Sequence, residues 1–417
     1  MKRIALVALF LYAFAALAQD GPRVLFIGNS YTEVNNLPQM VFNIARSMGS
    51  DMTYSSNTPG GCTFQNHCTN QSMELICQGG WDVVVLQEQS QYPSFPQSQV
   101  EAEVFPYAER LVDSIYAHNP CAEPMFYMTW GRRDGDQQNA QYFPVLGTYE
   151  GMDSMLCLRY TYMAEANDAS LCPVGRVWRH LRTNNPDIEL YSSDGSHPSV
   201  AGTYAAACTF YTLIFHRDPL SIAYNASLDP IDAIAIRNAV RTVVYDNLPS
   251  WQRPMPEVGI HLLGNIGSNG VSFGAEPQHA DSLHWFFGDG NDTITSSVGD
   301  LTMQHTYADS GFYTVTLVAS RHCMTDTATI TVHIGGTTEP VSIIRVDDNT
   351  PSVYPNPASG TITVTVDATA KATLCAADGR QVWHGTVCGS TAIPLHGLPS
   401  GIYTLCIGDA VTKVVVK

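Results

Sequence analysis

Between Val24 and about Asn247, short runs of consecutive apolar residues alternate with longer stretches of helical periodicity. VLFIG precedes the helical LPQMVFNIARSMG, WDVVVLQ precedes the helical segment Glu101 to His118, and MFYMTW follows. Strands that are apolar throughout are buried on both faces, and helices between them make the crossovers of a parallel sheet. The pattern predicts a three-layer α/β domain over 21–250. After Trp251 the texture changes. The proline-bearing WQRPMPE, 251–257, reads as a linker, and period-two strands such as FYTVTLVAS and TATITVHI predict a small β-sandwich over 258–335. GGTTEP and DDNTPS mark a second linker over 336–350. GTITVTVDA, GIYTLCIG and AVTKVVVK then predict a second small β-sandwich over 351–417.

Composition agrees with several folded units. A chain of 417 residues suits two to three domains, and 45% hydrophobic with 14% charged residues excludes a disordered chain. Lys2 and Arg3 precede an apolar run that closes on Ala16-Leu17-Ala18, the pattern of a signal peptide over 1–18 that leaves Gln19 first. That run is shorter than the roughly 20 apolar residues of a membrane span, and no later segment reaches that length, so no transmembrane segment is expected in the mature chain. Loss of Lys2 and Arg3 takes the formal charge from −17 to −17 − 2 = −19, which opposes nucleic acid and anionic membrane surfaces as partners. Eleven cysteines in an exported chain permit disulfides. Cys62 and Cys68 are close enough in sequence for a local pair, and Cys208, inside an apolar helical run, reads as a buried free thiol.

The candidate chemistry lies at strand ends. Ser30, in Gly28-Asn29-Ser30-Tyr31, follows the strand VLFI directly, where open parallel sheets place their ligands. Gly-Asn-Ser is also an ordinary turn and helix N-cap sequence. Near the end of the domain, Tyr191-Ser-Ser-Asp194-Gly195-Ser196-His197-Pro198 precedes the helical run VAGTYAAACTFYTLIF. A serine attacks only when a base takes its proton, and histidine does so best when a carboxylate fixes its tautomer. Asp194-x-x-His197 supplies both from one turn.

This order, a serine after the first strand, a glycine after the second, a polar loop after the third and Asp-x-x-His-Pro near the end, resembles the SGNH/GDSL hydrolases over about the first 250 residues. The resemblance implies a flavodoxin-like sheet and catalytic roles for Ser30, Asp194 and His197. It also implies an oxyanion hole made of the Ser30 N–H, a glycine N–H and a side-chain amide. Thr58-Pro-Gly60-Gly61 matches the glycine, with Gly61 preferred over Gly60. The family's Gly-x-Asn-Asp loop is replaced by Gln87-Glu88-Gln89-Ser90, so Gln89 is the candidate third donor, and Glu88 is a candidate for hydrogen bonding within the site. Thr129-Trp130-Gly131-Arg132 follows another strand; Trp130 and Arg132, and more weakly Asn35 and Asn36, are candidate substrate contacts through an aromatic face, a fork of donors and amides. Thirteen histidines include no His-x-x-x-His on a helix, and there is no paired Cys-x-x-Cys and no nucleotide loop, so neither metal nor cofactor is expected.

In the first β module, His284-Trp285-Phe286-Phe287-Gly288-Asp289-Gly290 and His305-Thr306-Tyr307 resemble the PKD-type sandwich domain. In the last, Tyr354-Pro355-Asn356-Pro357, Asp378-Gly379-Arg380 and Leu398-Pro399-Ser400-Gly401-Ile402-Tyr403 resemble the C-terminal sorting domain of the type IX secretion system of Bacteroidetes. That resemblance implies the secretion machinery as a partner and a secreted or outer-membrane-surface location. The combined expectation is a serine esterase that removes acetyl or other short acyl groups from a carbohydrate. Its rivals are a short-chain lipid or aryl ester hydrolase and a catalytically silent glycan-binding or adhesion protein.

Overall fold

The computed structural model describes residues 21–335, 342–343, 352–354, 356, 358, 360–376, 381–407 and 410–416. The expected signal peptide over 1–18 and most of the second linker fall outside the described residues. The described residues divide into two compact units, the first holding 21–257 with the short segments 279–281 and 320–326, the second the other described residues.

In the first unit, five strands form one parallel sheet: β1 (Arg23–Ile27), β2 (Thr53–Asn57), β3 (Val83–Leu86), β4 (Glu123–Tyr127) and β5 (Ser170–Cys172). Their order, β2-β1-β3-β4-β5, is the flavodoxin-like order, in which the strand sequence reverses direction between β1 and β3. The crevice at that reversal is where such sheets hold ligands. Alternation along β1 shows why the sheet is covered twice. Val24 and Phe26 enter one buried cluster, with residues of the helices Leu37–Ser47, Val174–Asn184, Val200–Phe215 and Pro230–Val243. Leu25 and Ile27 enter the other, with Gln71–Gln78, Phe105–His118 and Tyr149–Ala166.

The polar strand TYSSN of β2 has no apolar run to announce it, because it is an edge strand whose residues stay partly exposed. The helical segment Glu101 to His118 is two helices, Gln97–Glu103 and Phe105–His118, broken at Val104. Pro106 explains the break: it has no N–H to give and its ring clashes with the carbonyl one turn back, so a helix restarts there.

In the second unit, the strands Glu257–Ile266, Gly270–Gln278 and Thr302–Thr306 make one sheet. Ser282–Phe286, Asp292–Ser296, Gly311–Arg321, Met324–Ile334 and Ser342–Ile343 make a second. Val271, Phe273, Trp285, Leu317 and Val332 are buried, so the aromatic run at His284 supplies core. The last segment is a five-stranded antiparallel sheet in which the long strand Thr361–Ala376 pairs with three others. Ile362, Val364, Leu374, Leu405 and Val414 form its core. No helix among the described residues is long and apolar enough to cross a membrane.

The cysteine reading is corrected. Cys62 and Cys68 are not joined: the Cys62 thiol faces His67 Nδ1 at 3.7 Å, and the Cys68 thiol donates to the Tyr107 carbonyl at 3.7 Å. Within the first unit Cys121 and Cys323 form a disulfide across 202 residues of sequence. Cys208 is a buried free thiol.

The helix Val200–Phe215 is buried almost all round and starts three residues after His197, so its seating sets where that histidine stands. Gly202 makes the seating possible. A Cβ there would lie 2.3 Å from the Leu190 carbonyl oxygen and 2.5 Å from the Trp178 ring. Gly202→Ala is therefore expected to destabilise the protein by about 1–3 kcal/mol, as overpacking of a close contact does. Urea denaturation checks this: the midpoint falls, and a midpoint equal to that of the wild type contradicts the seating.

Candidate active site

Ser30 stands in the first turn after β1, in a short helix Ser30–Glu33 capped by Asn29. Two buried amides fix that turn. Gln87, the residue after β3, accepts from the Asn29 N–H at 2.9 Å and from the Thr32 hydroxyl at 2.8 Å through Oε1, and its Nε2 donates to Asn29 Oδ1 at 2.9 Å. The Asn29 Nδ2 in turn donates to the Cys62 carbonyl at 3.0 Å, which ties the serine turn to the glycine loop. From beneath, His67 Nε2 lies 2.9 Å from the Gly28 carbonyl oxygen and His67 Nδ1 lies 2.8 Å from Ser72 Oγ. Burial pushes the His67 imidazole down to about 4, so it works as a neutral strut, donating to the Gly28 carbonyl and accepting from Ser72.

The Asp-x-x-His turn is held from three sides. A bridge between Tyr191 and Pro198 closes it, and Gly195 turns it in the left-handed region at φ +67°. Arg133 N–H donates to the Gly195 carbonyl at 2.8 Å, and Asn35 Nδ2 donates to the Pro198 carbonyl at 3.1 Å and the Thr203 hydroxyl at 2.9 Å. Below the turn, three rings are stacked. Tyr31 lies on Trp130 at 4.8 Å and Trp130 on Trp178 at 3.8 Å, while Trp130 Nε1 donates to the Ser196 carbonyl at 3.1 Å. Tyr31 also meets His197 edge-on at 5.3 Å, with its hydroxyl 2.7 Å from Ser196 Oγ.

These supports bring Ser30, His197 and Asp194 into line. Ser30 Oγ lies 2.9 Å from His197 Nε2, and His197 Nδ1 lies 2.5 Å from Asp194 Oδ2. Asp194 Oδ1 accepts from the N–H groups of Ser196 and His197 at 2.9 and 3.0 Å. Desolvation, the largest influence on this carboxyl, would raise it, but the bonds from His197 and the two N–H groups together hold it below the usual carboxylate range. The arrangement can abstract a hydroxyl proton from Ser30 at Nε2 and stabilise the resulting imidazolium at Nδ1.

A cavity of about 270 Å³ opens over Ser30 and is lined by Asn29, Tyr31, Gly61, Gln89, Ser90, Arg132, Ser196 and His197 as well. Gly61, at φ +71°, holds a conformation that a side chain would strain. A larger cavity of about 360 Å³, lined by Arg133, Arg182, Glu189 and Tyr191 among others, contains none of Ser30, Asp194 and His197.

Four candidate contacts are not in the cavity; of these, Asn35 instead holds the Pro198 carbonyl and the Thr203 hydroxyl. Trp130 is fully buried in the ring stack, so it supports the turn from below and has no face to offer a substrate. Asn36 caps the helix Leu37–Ser47, accepting from the Gln39 N–H at 3.3 Å, and does not line the cavity. Glu88 turns away from the site. Its oxygens accept from the Phe64 N–H at 3.0 and 3.1 Å and the Gln89 N–H at 2.5 Å, and burial pushes its carboxyl up to about 8 against those bonds. Sequence reasoning missed Gln87 and His67; the polar run after VVVL was the one visible signal, since polar residues following a buried strand must find buried partners.

The family model described as "PKD domain" matches residues 264–335, and that described as "Secretion system C-terminal sorting domain" matches residues 352–417. No curated protein matches the chain. Among solved structures, a DUF4886 family protein from Bacteroides uniformis is similar at 19% identity and a TM-score of 0.48, covering 54% of this chain and 94% of its own. A protein provisionally assigned as an SGNH hydrolase, from Slackia heliotrinireducens, shows 26% identity, a TM-score of 0.38, and coverage of 46% and 98%. The psychrotrophic esterase EstA from a Pseudoalteromonas species shows 14% identity, a TM-score of 0.35, and coverage of 47% and 97%. Over its C-terminal third the chain is thus similar to a PKD domain followed by a domain that sorts proteins for export.

Proposed function

We propose that the chain is an exported serine esterase that removes acetyl or other short acyl groups from a carbohydrate. The observation that carries this reading is the line from Ser30 Oγ through His197 to Asp194, at 2.9 and 2.5 Å. Ser30 Oγ attacks the ester carbonyl while His197 Nε2 takes its proton. Asp194 keeps the other proton on Nδ1 and offsets the imidazolium charge. The carbonyl oxygen gains negative charge beside the N–H groups of Ser30 and Gly61 and the Gln89 carboxamide, and donors placed there lower the barrier only once that charge develops. His197 then returns its proton to the leaving alcohol, and a water activated by the same base releases the acyl group.

The identity of the lining residues supports a short acyl group. Its lining is hydroxyls, amides, a guanidinium and an imidazole, with Tyr31 and Gly61 the remaining members, and it has no aliphatic wall for a long chain. The polar lining also favours a hydroxylated alcohol portion. The sorting-domain match supports passage through the type IX machinery to the outside or the outer-membrane surface.

Hydrolysis of p-nitrophenyl acetate by the protein is expected to fall by about 10⁴-fold or more in Ser30→Ala, and by about 10²- to 10⁴-fold in Asp194→Asn. Equal rates for wild type and Ser30→Ala would refute the esterase. Acyl length gives a second test. The protein is expected to cleave p-nitrophenyl acetate with a kcat/KM at least about tenfold above that for the decanoate, a gap of the size that a missing apolar wall produces. A preference for the decanoate contradicts the short-acyl reading. Acetate released from acetylated xylan or pectin, measured enzymatically, identifies the carbohydrate.

A further inference from the structure

Gln89 and Arg132 reach the cavity over Ser30 from two different loops, one after β3 and one after β4. They share an anchor. Asp136, fully buried, accepts from Gln91 Nε2 at 2.6 Å and from Asn139 Nδ2 at 2.7 Å through Oδ2, and its Oδ1 lies 3.5 Å from Arg132 Nη1. Gln91 Oε1 then accepts from Gln89 Nε2 at 3.2 Å, and the Gln91 N–H donates to Gln89 Oε1 at 2.7 Å.

The direction of these bonds is forced. A carboxylate accepts and cannot donate, so Gln91 must present its NH₂ to Asp136 and therefore its oxygen to Gln89. Gln89 must then present its NH₂ toward Gln91 while its own oxygen is held by a backbone N–H. One buried carboxylate thus sets which end of two successive amides is oxygen and which is nitrogen. A carboxamide at an oxyanion has to offer nitrogen, since an oxygen there would repel the charge it is meant to stabilise. The second N–H of the Gln89 amide is not used in either bond to Gln91.

We propose that Gln91 and Asp136 are positioning residues of the ester-cleaving site: they fix the Gln89 carboxamide as a donor toward the oxyanion and hold Arg132 beside it. The proposal rests on the esterase reading above. Its consequence is that Gln91 acts only through Gln89, so the two should not be independent.

The test is a double-mutant cycle with Gln89→Met, Gln91→Met and the pair, read as kcat and KM on p-nitrophenyl acetate, with thermal melting of each variant. Asp136→Asn serves as a second route to the same unit. Gln89→Met is expected to lower kcat by about 10²-fold and Gln91→Met by about tenfold, with KM within about twofold of wild type, since the amide is engaged in the transition state. The pair is expected to be no slower than Gln89→Met alone. Asp136→Asn is expected to lose kcat as Gln91→Met does. Effects of Gln89→Met and Gln91→Met that multiply in the pair, a loss confined to KM, or wild-type kcat in folded Gln91→Met overturns the positioning role while leaving the esterase intact. A wild-type protein no faster than Ser30→Ala overturns both.

Discussion

Two buried amides have to satisfy each other where β1 and β3 end side by side. Asn29 and Gln87 are at most 2% exposed, and each would carry a cost of about 1–3 kcal/mol if its polar atoms were left unpaired. Their reciprocal bonds remove that cost in one arrangement only, and that arrangement clamps the serine turn to the end of β3 and to the glycine loop at Cys62. The position follows from topology. The strand order reverses between β1 and β3, so the crevice opens there, and the turn that enters it must be stiff if Ser30 is to meet a base carried in from elsewhere in the chain.

His197 comes from 167 residues away, and apolar packing does for it what the amides do for Ser30. The rings of Tyr31, Trp130 and Trp178 are piled under the Asp194-to-His197 turn, and the buried helix behind it is held against Trp178 by a glycine-sized gap. Tyr31 belongs to both halves: it is the residue after Ser30 and it touches both His197 and Ser196. A rigid floor shared by Ser30 and His197 keeps two sequence-distant side chains at hydrogen-bond distance without relying on the contact itself, which is partly exposed and weak alone.

Much of this was legible in the chain. Apolar runs between helical stretches announced the parallel sheet because strands buried on both faces cannot alternate, and the PKD-like and sorting-domain-like segments are marked by turns and aromatic clusters close together in sequence. Ser30, Asp194 and His197 were visible because the first lies at a strand end and the other two lie within one turn. What stayed hidden depends on contacts across sequence. Trp130 looks the same as text whether it faces solvent or lies between two rings, so its burial could not be read. β2 is polar because it is an edge. Gln91 and Asp136 are 45 positions apart and carry no local pattern, so only the fold shows them bonded.

On the proposed mechanism Ser30 is a nucleophile because His197 makes it one. Labelling with a fluorophosphonate, followed by mass spectrometry of the digested protein, tests this directly, since the reagent bonds a serine only when a base removes its proton. A single adduct is expected on the peptide containing Ser30, and its loss is expected in His197→Ala. An unlabelled Ser30, or a Ser30 labelled as fast without His197 as with it, overturns that role.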